Sequence, residues 1–590
     1  MKGEAFLMKL TAASCKKSFA AAEFLMILVW VANLAHTQAY FITYGLCGMA
    51  AVLCLADNHR HNRKLPTGAR LLGGLLAALF AIAVVLANYD LFEILRDPKV
   101  VSSGTNRILN LFNALCTLVG GFVAAENVLR CVFHRFPIRT EEWSPRREPW
   151  VVFLGSFACI AAINLVYHFF VVHPGSLSLD SMDQITQIRN GVYSNHHPFW
   201  HTMVIKLLLE TGYAIFGDIN QAVSLYSIFQ ILVMAASFAY ALMTLYQAGV
   251  AKTWIALSFA MYALLPYNIC YSNTMWKDVL FGAAVCVFLT ALLRILRGIG
   301  KKQLWNLVLL AVSGLGFCLW RSNGFLALVA AFPVFATVLW KEHKKVLALL
   351  LAVLALGWAM KGPALSAMGV TQPDLVESLS VPVQQVARVI VDGCQLTAEE
   401  EALISRVVDI EEVPGLYRSH FSDNIKNEIR SKDNAYFEAN AGQYLKLWLQ
   451  LLVKYPGEFV KAWVDQTKGY WGGGYQNWMY GNFINENDMG IAMVKQSNIL
   501  FRLYTMYFTF SKHVVFFEPL HSIGLHVWIL VIAAFVSLFH RKKEWILAVP
   551  LLAIVLTLMV ATPVSGEFRY AYGIFTAFPV VFSACLYGDK

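Results

Sequence analysis

Phe199-Trp-His-Thr-Met-Val-Ile-Lys-Leu-Leu-Leu-Glu-Thr-Gly-Tyr-Ala-Ile-Phe216 is apolar on balance, yet it carries His201, Lys206 and Glu210. Whether this run crosses a membrane fixes the sidedness of everything after it. The chain around it is membrane-bound by composition. Of 590 residues, 58% are hydrophobic and 14% charged, and mean hydropathy is +0.55. A soluble chain carries about 25% charged residues. A crossing helix needs roughly 20 apolar residues. Fourteen other runs qualify: 19–39, 41–57, 70–89, 108–130, 149–172, 221–246, 253–269, 278–296, 303–320, 323–340, 346–362, 521–540, 544–562 and 570–587. The first follows Lys16 and Lys17 and is too long for a signal peptide core, so it reads as a retained helix.

Basic residues decide the ambiguous run, because Lys and Arg concentrate in cytoplasmic loops. With Lys2, Lys9, Lys16 and Lys17 inside, the loops 59–64 and 130–147 also fall inside, and 173–198 falls outside. If 199–216 crossed, three basic clusters would become external: Arg294 to Lys302, Lys341 to Lys345, and Arg541 to Lys543. If it lies along the outer surface as an amphipathic segment, all three are cytoplasmic. We adopt the second reading. The expected architecture is an all-α polytopic membrane protein of about fourteen helices, with both termini cytoplasmic. Residues 1–148 form a region of four spans, and 149–361 a membrane core with an external acidic loop at 173–220. Residues 362–520 form a mostly helical extracytoplasmic subdomain, and 521–590 the last membrane helices. The net charge of +10 then belongs to cytoplasmic loops and gives no reason to expect nucleic acid as a partner. The 11 cysteines are scattered through apolar runs without metal-type spacing.

That topology gathers the unusual polar motifs on the external face, where ionisable groups beside a bilayer are costly and ask for a function. In the 173–198 loop, Asp180 and Asp183 share a face if they are helical. They could accept a proton or hold a divalent cation; the bland alternative is a helix cap plus a solvated acid, with Ser178 and Ser181 nearby. Asn195-His196-His197-Pro198 offers a ligand for a phosphate or sugar hydroxyl, or a surface turn. Lys277 and Asp278, in Asn273-Thr-Met-Trp-Lys-Asp278, stand where the chain re-enters the membrane. Lys277 is on the side disfavoured for a lysine and could pair with a phosphate. Gly566-Glu-Phe-Arg-Tyr570 places Arg569 at a helix start among aromatics, suited to two-pronged phosphate contact, with interfacial anchorage as the alternative. Arg321 reads the same way. In the large loop, Val381-Pro-Val-Gln-Gln-Val-Ala-Arg-Val-Ile390 has a helical apolar face. Its Gln384, Gln385 and Arg388 either line a polar pocket or face water. Residues 435–468 predict two helices separated at Tyr455-Pro456-Gly457. Trp471-Gly-Gly-Gly-Tyr-Gln-Asn-Trp478 could stack on sugars or rest on the membrane surface.

The combination resembles the GT-C superfamily of integral-membrane glycosyltransferases, which use polyprenyl-phosphate-linked sugars. The match lies in a span followed by an external loop with early acids, a His-Pro step into a surface helix, an external Asp278 three spans on, and Arg569-Tyr570 before the last helix. A closer pattern is that of a group of uncharacterised bacterial multispanning proteins. It runs through Pro174-Gly175, Asp180-Ser181 followed by a Gln, the His-His-Pro step, Trp276-Lys277-Asp278, Pro382 to Arg388, and Glu567 to Tyr570. The resemblance implies an inverting transfer to a cell-envelope glycan or lipid acceptor on the extracytoplasmic face of the cell membrane. Asp180 or Asp183 would be the base, and the second acid or Asp278 would orient the acceptor or hold Mg2+ or Mn2+. Arg569, with Lys277 or His196, would grip the donor phosphate, and Tyr570 would line its site. The first acid of the superfamily is often paired directly with a second, whereas here the pattern is Asp180-Ser-Met-Asp183, so the choice of base stays open. No glycine-rich nucleotide-phosphate loop is visible. Two rivals place polar residues differently or use another donor: a lipid-linked-glycan ligase or polymerase, and a lipid or glycan transporter. A transporter would concentrate polar groups within helices near the midplane; here they sit at helix ends.

Overall fold

The computed structural model describes residues 18–34, 41–91, 107–136, 138, 148–300, 303–473, 481–494, 497–513 and 517–587. About 80% of the described residues are helical, and they contain only isolated β-bridges, no strand. It is an all-α, multi-pass membrane protein. Among the described residues, nine helices are long and apolar enough to cross a bilayer, and a tenth counts if Lys252–Leu264 and Pro266–Ser272, bent by 49°, form one span. Three more apolar helices are shorter: Ser18–Leu34, Gln303–Leu319 and Ile523–Phe539. Phe41–His61 is helical but falls outside both groups. The N-terminal lysines, Lys301, Lys302 and the 139–147 stretch lie outside the described residues, as do residues 474–480 of the aromatic-glycine run.

Ile219–Gln247, Lys277–Leu296 and Phe568–Leu586 are the most enclosed of the long helices. Small residues let the last two approach closely. A Cβ on Gly282 would stand 2.9 Å from the Tyr572 ring and 3.1 Å from Thr576, and one on Gly573 would stand 3.1 Å from Val285. Thr576 Oγ1 donates to the Gly282 carbonyl at 2.8 Å. Close approach through small residues is the usual way membrane helices pack. Here it brings the helix starts at Lys277 and Arg569 side by side.

The Phe199–Phe216 segment is a helix and is not among those fit to cross. It lies obliquely over the end of Ile219–Gln247. His201 hydrogen-bonds Tyr226 at 2.8 Å, and Gly212 comes within 2.6 Å (as a built Cβ) of Ala222. Eleven residues of one helix, about 16 Å at 1.5 Å per residue, thus advance only about 6 Å, or four residues, along the other. A helix running alongside its neighbour would advance equally.

Residues 375–459 fold around their own apolar core, which includes Val383, Val389, Ile425, Leu447 and Phe459. Ser380–Val391 is helical, and the chain breaks between Ala441–Lys454 and Pro456–Thr467 at Tyr455, as the Tyr-Pro-Gly step predicts. The sequence reading assigns all of 362–520 to one lobe. In the structure the later part rejoins the bundle: Tyr507 of Ile499–His513 donates to the Leu264 carbonyl at 2.7 Å, and Tyr470 to the Val564 carbonyl at 2.8 Å.

Candidate active site

The loop after Pro149–Val172 is held as a short extended segment. Gly175 has φ +129°, where only glycine sits without strain, and a Cβ there would meet Ser227 Oγ at 2.3 Å. Ser176 N–H donates to the Asn273 carbonyl at 2.9 Å, and Met275 N–H to the Ser176 carbonyl at 3.0 Å. Leu177 exchanges equivalent bonds with Phe483 and Asn485. Leu179–Asn190, the acid helix, follows. Its cap is Ser178, whose N–H donates to Ser181 Oγ at 3.2 Å, while Trp276 Nε1 donates to Ser178 Oγ at 2.6 Å. Capping is therefore done by serines, and Asp180, in the first turn, is left for other contacts.

A buried hydrogen-bond chain fixes the opposite wall. Gln184 of the acid helix meets His201, His201 meets Tyr226, and Tyr226 donates to Gln230 Oε1 at 3.1 Å. Gln230 Nε2 then donates to the carbonyls of Tyr271, Ser272 and Thr274 at 2.8–3.1 Å. This pins the turn that presents Trp276, Lys277 and Asp278. Neither Tyr226 nor Gln230 stands out in the sequence, because a polar residue on a mostly apolar helix has no distinguishing local signal.

Asp180 Oδ2 is gripped by two cations from distant parts of the chain: Lys277 Nζ at 2.9 Å and Arg569 Nη1 at 2.9 Å. Lys277 also reaches His197 Nδ1 at 3.0 Å. Arg569 lies 5.2 Å from the ring centres of both Trp276 and Tyr570, and its Nε is 3.2 Å from Glu567 Oε1. A second pair, Asp278 with Arg321, is sealed behind the first, and Arg321 stacks on Tyr570 at 4.5 Å. Asp278 is wholly buried, and its Oδ2 has no hydrogen-bond partner. Asp183 stands at the rim, with half of its side chain exposed, 3.5 Å from His197 Nε2 and accepting from Gln187 Nε2 at 2.7 Å.

Burial alone would raise the Asp180 pKa. Lys277 and Arg569 outweigh it and hold the carboxyl well below the usual range. Burial, reinforced by the positive Lys277, pushes the His197 pKa down to about 2. A neutral His197 accepts from Lys277 at Nδ1, so its proton is on Nε2, facing Asp183. Burial also raises the Glu567 pKa, against the pull of Arg569.

The structure thus unites Asp180, Asp183, His197, Lys277, Asp278, Arg321, Arg569 and Tyr570. His196 turns outward and is exposed, with its N–H on Ser194 Oγ at 3.1 Å. Gln384, Gln385 and Arg388 neither line this site nor face water. Gln384 Nε2 donates to the Arg418 and Phe421 carbonyls, Gln385 Nε2 to the Phe459 carbonyl, and Arg388 pairs with Asp392 at 2.8 Å. They are joints of the 375–459 lobe, because the helix carrying them is packed on both sides. The residue missed in the sequence is Glu567, itself buried and in contact with Arg569. The cluster does not suit a divalent cation. Two cations already face Asp180, and no group of three His, Cys, Asp or Glu side chains placed for a metal occurs among the described residues.

A family model covers residues 187–588: a family of unknown function (DUF6020). The chain belongs to this family. The match takes in Lys277, Asp278, Arg321, Glu567 and Arg569 and begins after Asp180 and Asp183. No curated protein and no solved structure matches the chain.

Proposed function

We propose that this protein is a GT-C-like membrane glycosyltransferase with fourteen crossings, its site on the extracytoplasmic face. In this reading it moves a sugar from a polyprenyl-phosphate donor to a cell-envelope glycan or lipid acceptor with inversion. The observation that carries the reading is the grip of Lys277 and Arg569 on Asp180. Two cations from helix starts, partly exposed and backed by aromatic rings, hold one internal carboxylate where an external phosphate would fit. Each of the three side chains is 15–23% exposed, whereas Asp278 behind them is fully buried and its partner Arg321 is 10% exposed.

The donor phosphate displaces Asp180 from Arg569 and Lys277. Both cations then stabilise the negative charge that grows on the phosphate as its bond to the anomeric carbon breaks. The acceptor oxygen forms the new bond to that carbon from the opposite side, and its proton passes to Asp180. Released from its cations, Asp180 regains the basicity that they suppress. His197 holds Lys277 through its neutral nitrogen, Tyr570 is the platform for Arg321, and Asp183 steers the acceptor from the rim.

The test uses purified protein in lipid nanodiscs, given a polyprenyl-phosphate sugar and an extract of envelope acceptors. Mass spectrometry of the carrier reads the outcome. Release of polyprenyl phosphate with a sugar-bearing acceptor is expected. Consumption of only diphosphate-linked oligosaccharide, releasing polyprenyl diphosphate, would mean a ligase or polymerase instead.

A further inference from the structure

The core of the 375–459 lobe contains a cavity of 440 Å³, within the size range of small-molecule sites. Its walls include Val383, Val386 and Ile390 of Ser380–Val391 and Ile429 of Asp423–Ala439. Only two lining side chains carry a polar atom, and both are already bonded: Tyr444 OH to the Leu403 carbonyl at 3.0 Å, and Trp448 Nε1 to Gln385 Oε1 at 2.9 Å. A sugar, a phosphate or a peptide backbone placed here would leave its polar groups without partners. Water needs two to four such partners. A hydrocarbon chain needs none.

The mouth points the same way. Leu445 lines the cavity and is also 59% exposed. The apolar face continues along Ala441–Lys454 through Leu449 and Val453, 48% and 83% exposed, at the four-residue spacing of one helix face. Exposed Lys446 lies beside it. An apolar stripe beside a lysine suits a helix that meets a lipid surface carrying negative headgroups.

We propose that this lobe binds one acyl chain of an anionic membrane phospholipid. The chain enters past Leu445 into the cavity, and the headgroup stays outside near Lys446. The site is separate from the Asp180 cluster, and the proposal stands without the transferase reading. The wall helix nevertheless touches the loop that leads to Arg569. Gln384 on it meets Gln466, and Gln466 Nε2 donates to the Thr562 and Pro563 carbonyls at 2.9 and 2.8 Å.

The experiment uses the full chain in nanodiscs of phosphatidylglycerol carrying a diazirine midway along one acyl chain. Labelled peptides are mapped after photolysis. Label on 383–390 and 445–448, in addition to the membrane helices, is expected. Val386→Trp fills the cavity and Ala441→Trp closes its partly exposed mouth; each should abolish the lobe label and leave that on Pro149–Val172 unchanged. If Val386→Trp does not fold, Ala441→Trp decides. Label confined to membrane helices, or lobe label that survives the filling variants, overturns the proposal. The readout needs no sugar transfer, so its failure leaves the Asp180 account intact.

Discussion

The two ends of the Lys277–Leu296 helix both bury charge, and they satisfy it in opposite ways. At the far end Arg294, 6% exposed, donates to Asn306 Oδ1, Thr244 Oγ1 and Gln247 Oε1 at 2.6–3.1 Å and lies over Tyr240. Those acceptors are neutral and belong to the packed helices. At the near end, Lys277 is satisfied by Asp180, a carboxylate on a separate short helix, and that carboxylate is shared with Arg569. Neutral dipoles built into a core fix a cation in place. A counter-charge at a partly exposed site can be exchanged for an incoming anion of the same sign. In the proposed function the near end serves exchange, while the far end serves stability.

Mutations should separate the two ends. The largest effect falls on Asp180→Asn, which keeps the shape but removes the base. Sugar transfer in nanodiscs should drop by roughly 10³–10⁴-fold, and residual transfer near the wild-type rate would remove Asp180 from that role. Arg569→Ala should lose about 10²–10³-fold in turnover, and Arg569→Lys should recover only part, because one ammonium cannot reproduce the guanidinium contacts to Asp180 and Glu567. At the far end, Arg294→Gln should cost about 1–3 kcal/mol of stability through the acceptors it leaves unpaired. Transfer per folded molecule should stay at the wild-type level; a loss of turnover there would erase the contrast.

The smallest effect is on pH. His197 and His201 have pKa values pushed down to about 2 and about 3, chiefly by burial. Both are neutral when folded and gain a proton near pH 6.5 when unfolded. Between pH 6.5 and about 3 the unfolded chain binds more protons, so stability falls as pH falls. At pH 5.5 each histidine should cost about 1.4 kcal/mol. Thermal unfolding in detergent should therefore shift down between pH 7.5 and 5.5, and His201→Gln should remove part of that shift.

Much of this was legible in the sequence because charge at the ends of apolar runs has few structural excuses. Asp180, Lys277, Asp278, Arg321 and Arg569 stood out for that reason, and the basic loops assigned them to one face. Pairing was not legible. Asp180 and Asp183 are equivalent in a helix until Ser178 is seen to cap it and Lys277 and Arg569 are seen to reach only the first. Gln384 and Gln385 misled because a glutamine that joins two buried segments carries the same local pattern as one that meets a ligand. Glu567, in Gly566-Glu-Phe-Arg-Tyr570, carries no role that the sequence shows, since the approach at Gly282 and Gly573 brings its neighbour Arg569 to Lys277. Phe199–Phe216, which the charge argument keeps from crossing, is not among the helices long and apolar enough to do so.

In the proposed function Asp180 occupies the place of a phosphate. This is tested most directly by binding of polyprenyl phosphate, without sugar, to the protein in nanodiscs. Asp180→Asn should bind at least as tightly as the wild type, because the internal competitor has lost its charge, while Arg569→Ala should bind far more weakly. Weaker binding by Asp180→Asn, in a variant that unfolds at the wild-type temperature, would contradict the account.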